Sequence, residues 1–109
     1  MITATFTESG RNLSIRLEGH AGYAEHGKDI VCASATILAY TLAQTIKDAE
    51  HFGYLASAPV IKLDSGDTLL SCEAADEENR VLMRCMFAFA VKGFALLEHN
   101  YPKYVKLML

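Results

Sequence analysis

The chain has 109 residues, of which 51% are apolar and 21% charged, with a formal net charge of −3. That length and balance describe one globular domain, residues 1–109, able to bury a core without staples, and they exclude a disordered chain. The acidic balance offers no basic surface for nucleic acid or anionic lipid. The longest unbroken apolar run, Cys85–Val91, falls far short of the ~18 residues of a membrane span.

Ile2, Ala4 and Phe6 alternate with Thr3, Thr5 and Thr7, and Leu13, Ile15 and Leu17 alternate with Ser14, Arg16 and Glu18. A period of two marks half-buried strands. Glu8-Ser9-Gly10-Arg11-Asn12 between them is turn-forming, so the two segments predict a β-hairpin. Met1–Glu8 has neither a basic leader nor an apolar block, so it is not read as a signal peptide, and a cytoplasmic protein is expected.

Gly19–Lys28 (GHAGYAEHGK) has three glycines and no periodicity, the pattern of a loop. Asp29 suits an N-cap, and the apolar-rich stretch from Ile30 to about Phe52 contains no Pro or Gly, so one long helix is predicted, stopped by Gly53. After Pro59, Val60–Leu63 reads as a short strand, Asp64-Ser65-Gly66-Asp67 as a turn, and Thr68–Ala74 as a further strand. Asp76–Asn79 is acidic and suits a helix start, where negative charge meets the positive end of the dipole. Val81–Tyr101 predicts a second long helix, stopped by Pro102, and Tyr104–Leu109 a last strand. The order ββαββαβ predicts an α+β fold with one mixed β-sheet and two long helices.

The second helix is apolar around most of its girth, from Val81, Leu82 and Met83 through Phe87 and Phe89 to Phe94, Leu96 and Leu97. Either it is a fully covered core helix, or one face is left for a partner. We expect a homodimer, for which two-fold symmetry is the default.

Cys32, Cys72 and Cys85 are odd in number and far apart, which suits neither a disulfide framework nor a paired-cysteine zinc site. Each is expected as a free thiol in a reducing compartment. Cys72, mid-strand, and Cys85, mid-helix, lie among apolar neighbours and read as packing residues. Cys32 differs. If Asp29 is the cap, Cys32 stands in the first helical turn, where unpaired N–H groups and the dipole favour the thiolate, the nucleophilic form of the side chain. The preceding loop supplies two imidazoles, His20 and His26, either of which completes a Cys–His pair. Two other readings stand beside this one: Cys32 as a small core residue, or His20, His26 and Cys32 as zinc ligands, though their spacing follows no standard pattern. His51 and His99 near the helix ends fit an ordinary favourable placement of a cation. Glu73, Asp76, Glu77 and Glu78 read as a solvated loop and helix start rather than a paired-carboxylate site.

Gly19-His20-Ala21, followed by Gly27-Lys28-Asp29-Ile30-Val31-Cys32-Ala33, closely resembles the Prp family of ribosomal-processing cysteine proteases. In that family a GHA element and a G-x-DIVCA element flank a mobile loop, with the same separation of twelve residues as from His20 to Cys32. The resemblance also covers the ββαββαβ order. It implies Cys32 as nucleophile and His20 as general base, with His26, in the variable part of the loop, as second choice. It implies that the loop Ala21–Lys28 opens and closes over substrate, given freedom by Gly19, Gly22 and Gly27. Asp29 either orients the site or caps the helix. Position 36 is Thr36, where the motif has a serine, so a hydroxyl is retained. The implied substrate is the precursor of a large-subunit ribosomal protein, cut after a short N-terminal extension with aromatic residues before the cut. A homodimer is implied too, and no cofactor or metal is expected. On this reading the N–H groups of Cys32 and Ala33 would bind the oxyanion, and Tyr23 with the first helix would line an apolar groove. The rival functions are a non-catalytic ribosome-associated or assembly factor of the same fold, and a redox-sensing thiol protein.

Overall fold

The alternation of apolar and polar residues in the first two segments becomes the two faces of a sheet. The computed structural model describes residues 1–109. It runs β1 (Ile2–Ser9), β2 (Asn12–Glu18), α1 (Ile30–His51), β3 (Val60–Asp64), β4 (Asp67–Glu73), α2 (Glu77–Asn100) and β5 (Val105–Met108). The strands form one sheet in the order β3-β4-β2-β1-β5. β1 and β5 are parallel and every other pair is antiparallel, so the sheet is mixed and the fold is α+β, as the element order predicts.

The apolar members of each strand share one face. Ile2 and Ala4 of β1, Leu13, Ile15 and Leu17 of β2, and Leu70 and Cys72 of β4 are all buried. The two helices lie on each other and over that face, α1 against β4 and α2 against β2 and β5. α1 contributes Val31, Ala35, Ala39, Leu42, Ala43, Ile46 and Ala49 to the core, and α2 contributes Met83, Phe87, Ala90, Phe94 and Leu97. Small alanines on α1 let it sit close to the sheet, while Phe87 and Phe94 fill the volume beneath α2. Gly93 faces Leu38 where the helices meet, and a Cβ there would stand 2.5 Å from Leu38 Cδ2.

Several boundaries and environments differ from the sequence reading. The first hairpin turn is only Gly10-Arg11, because pairing runs out to Ser9↔Asn12. α2 begins at Glu77, before the apolar pattern starts at Val81. Its polar first turn is held by the Asp76 cap, whose Oδ1 accepts the Asn79 N–H at 2.8 Å, and by the Arg80–Glu77 ion pair. Cys72 is buried as expected, and burial pushes its thiol up to about 11. Cys85 is exposed, which corrects its reading as a packing residue: it falls off the Met83–Phe87–Ala90–Phe94 stripe. The same phase excludes the fully covered reading of α2. Val81, Leu82, Phe89 and Leu96 face outward, with Phe89 82% exposed. α1 is long and apolar enough, by length and composition, to cross a membrane, a property that a search for unbroken apolar runs does not register. In this fold 33% of its most apolar window is buried in the protein.

Candidate active site

The start of α1 is built around one carboxylate. Asp29 is in an extended conformation (φ −87°, ψ 103°), as an N-cap requires. Its Oδ1 accepts the N–H groups of Val31 at 3.0 Å and Cys32 at 2.9 Å. Its Oδ2 accepts those of Tyr23 at 2.9 Å and Ala24 at 3.2 Å, from the preceding loop. The residue is buried, only 8% exposed. Burial by itself raises the pKa of a carboxyl group, but the N–H donors of Cys32, Ala24, Tyr23 and Val31 outweigh it and hold Asp29 below the usual carboxylate range. Asp29 therefore caps the helix and, through its second oxygen, ties the preceding loop to it.

Cys32 is half-buried in the first turn. Its Sγ accepts a hydrogen bond from the backbone N–H of Ala21 at 3.4 Å. It opens onto a cleft of about 390 Å³ that His20, His26 and Thr36 also line. The far wall is the β3–β4 turn, Asp64 to Thr68, and Tyr40, Ala39 and Leu63 give the cleft an apolar side. The His20 ring rests against Gly66 of that turn, where a Cβ would stand 2.7 Å from Nε2. The backbone before it is fixed as well: Gly19 N–H donates to Gly66 O at 3.0 Å. At Gly19, whose φ is 89°, a Cβ would collide with the Met1 carbonyl oxygen.

The structure thus brings His20, His26 and Cys32 to one cleft, whose lining does not include Asp29 or Gly27. Gly27 has a φ of 85° in the loop that leads into the cap. Thr36 Oγ1 donates to Cys32 O at 2.8 Å, within the helix. His51 and His99 are exposed in the last turns of their helices, away from the cleft. No group of three His, Cys, Asp or Glu side chains is close enough to hold a metal ion, so His20, His26 and Cys32 do not form the ligand set considered from sequence.

Two expectations are corrected. The Cys32 and Ala33 N–H groups are not free for an oxyanion, because Asp29 Oδ1 takes the first at 2.9 Å and Asp29 O takes the second at 3.0 Å. Tyr23 does not line the groove. Its ring stands edge-on to Tyr101 and Tyr104, with centroids 5.6 and 5.2 Å away. Two site elements were not found from sequence, the Ala21 N–H and the β3–β4 turn. Asp64-Ser65-Gly66-Asp67 signals a turn, but nothing in it says which side chain rests on that turn.

The model of the cysteine protease Prp family matches residues 1–106. No curated protein matches the chain. Among solved structures, the essential ribosomal processing protease Prp from S. aureus, in complex with a covalently linked product peptide, is similar at 21% identity and a TM-score of 0.77, covering 99% of this chain and 98% of that one. The same protease with a substrate peptide is similar at 21% identity and a TM-score of 0.66, covering 98% and 97%. SMU.848 from Streptococcus mutans is similar at 28% identity and a TM-score of 0.65, covering 99% and 94%. With the family model matching almost the whole chain, over a fold and a cleft that hold the expected thiol and imidazole, this chain belongs to the Prp family of cysteine proteases.

Proposed function

We propose that this cysteine protease removes a short N-terminal extension from a large-subunit ribosomal protein, with Cys32 as nucleophile and His20 as general base. The observation that carries the proposal is the Ala21 N–H donating to Cys32 Sγ at 3.4 Å, which sets the residue next to His20 directly against the sulfur, in a cleft both side chains line. The similar S. aureus enzyme, described as a ribosomal processing protease and seen with substrate and product peptides, supports the choice of substrate.

In the proposed reaction His20 accepts the Cys32 proton, and the sulfur attacks the scissile carbonyl. The tetrahedral intermediate collapses as His20 returns the proton to the leaving amine, the new N-terminus of the ribosomal protein. The extension stays on Cys32 as a thioester. Water, deprotonated by His20, then releases it as a carboxylate and restores the thiol. Ala21 N–H, which donates to Cys32 Sγ at 3.4 Å, holds the sulfur in the cleft beside His20. Aromatic residues before the cut would rest on the apolar side formed by Ala39, Tyr40 and Leu63. No cofactor takes part.

The outward face of α2, with Val81, Phe89 and Leu96, supports a homodimer. Three unpaired thiols suit the reducing cytoplasm. Acid quenching during turnover of a precursor peptide, followed by peptide mapping, tests the chemistry: the extension, cut from the precursor but not yet released, should be found as a thioester on the peptide containing Cys32. An adduct on Cys85 instead would overturn the assignment.

A further inference from the structure

We propose that Gly66, in the β3–β4 turn, is a positioning residue that seats the His20 imidazole for proton transfer. This inference rests on the reading of His20 as the general base. Gly66 has a φ of 74°, which by itself favours glycine. The turn requirement is not the whole explanation, however. A Cβ on Gly66 would stand 2.7 Å from His20 Nε2, 3.1 Å from Cε1 and 3.4 Å from Cδ2, so one edge of the ring lies on the bare Cα.

Gly10 supplies an internal comparison. It occupies the other two-residue hairpin turn at a φ of 58°, yet a Cβ there would meet nothing within 4 Å. Both turns need a glycine-like backbone, but only one has an imidazole against it. The turn cannot withdraw to make room at position 66, because Gly66 O accepts the Gly19 N–H at 3.0 Å. The main chain before His20 and the ring of His20 are therefore held by the same residue. After His20, Ala21 N–H is fixed on Cys32 Sγ. His20 is exposed, and its only hydrogen bond within the chain is made by its carbonyl oxygen, so contact with the turn is what confines the ring. If a Cβ enters, the ring moves and the fold stays, because an exposed histidine side chain yields more easily than a hydrogen-bonded turn.

The experiment compares steady-state cleavage of a precursor peptide by the wild type, Gly66→Ala, Gly66→Asn, Gly10→Ala and His20→Ala, with thermal melting of each. Asparagine tolerates a positive φ better than alanine and still carries a Cβ, so Gly66→Asn relieves the strain of the turn without clearing the ring. Both Gly66 variants should lose about 10- to 100-fold in kcat, the scale expected for a displaced catalytic group. Their KM should stay within about twofold, since the apolar side formed by Ala39, Tyr40 and Leu63 is unchanged. Gly10→Ala should keep its kcat. In a His20→Ala background, Gly66→Asn should lower the residual kcat no further, because the two changes remove one interaction. Wild-type kcat in a folded Gly66→Asn overturns the inference, as does a kcat loss in Gly10→Ala equal to that at position 66. If His20→Ala itself keeps full kcat, it is the assignment of the base that fails, and the inference fails with it.

Discussion

Asp29 and Cys32 are joined by a hydrogen bond of 2.9 Å, from the cysteine amide to the aspartate Oδ1, and this bond decides which backbone donors the cleft can offer. Because the carboxylate satisfies the amides at the helix start, it fixes Cys32 rigidly but withdraws its N–H from any role with substrate. The other oxygen holds Tyr23 and Ala24, so one side chain sets both the nucleophile's backbone and the path of the loop.

Replacing that carboxylate should loosen both. In Asp29→Asn the Oδ1 acceptor is kept, but an NH₂ group faces the Tyr23 and Ala24 N–H groups where an acceptor stood. A loss of about 1–2 kcal/mol in unfolding free energy at pH 7 is expected. The pH dependence follows from the lowered pKa of Asp29 in the folded chain. Its contribution is fully present above the unfolded value of about 3.9 and is lost as pH falls through the folded value. The stability gap between wild type and Asp29→Asn should be constant near neutrality and close below about pH 4. Urea titrations at pH 7 and pH 3 measure it, and a gap that widens in acid would contradict this account.

The three thiols should separate by reactivity. Burial pushes the Cys72 thiol up to about 11, whereas Cys85 is exposed and Cys32 opens onto the cleft. Iodoacetamide at pH 8 should label Cys32 and Cys85 in the folded protein and spare Cys72, which should react only in denaturant. Mapping the alkylated peptides by mass spectrometry checks this.

Phe87 and Phe89 are two residues apart on α2 and have opposite surroundings: Phe87 is fully buried and Phe89 is 82% exposed. Phe87→Ala should cost about 3–5 kcal/mol of stability. Phe89→Ser should leave the far-ultraviolet circular dichroism unchanged and reduce the light-scattering mass from two chains to one, if α2 forms the homodimer interface. An unaltered dimeric mass in Phe89→Ser would place that interface elsewhere.

Much of this fold is legible in short windows of sequence. Alternation at Ile2–Thr7 and Leu13–Glu18 gives the hairpin, and Asp29 before an uninterrupted apolar stretch gives the start of α1 within one residue. That His20, His26 and Cys32 line one cleft is also local, since the helix start and the preceding loop adjoin. What escapes is non-local. The contact of His20 with Gly66 needs β4 beside β2, a consequence of strand order that no window contains. The side chosen by Cys85 escapes for another reason: where a helix is apolar all round, periodicity does not fix its phase, and packing against the sheet decides. The amides of Cys32 and Ala33 look free at a helix start until the cap residue is seen to take them both, one by its side chain and one by its carbonyl.

The most direct test of the Cys32–His20 assignment is cleavage of a ribosomal-protein precursor peptide by purified variants, followed by chromatography and mass spectrometry. A single cut that frees the N-terminal extension should appear with wild type and with Cys85→Ser. It should vanish in Cys32→Ala and slow by about 100-fold or more in His20→Ala, the usual contribution of a general base. Undiminished cleavage by Cys32→Ala would contradict the assignment outright.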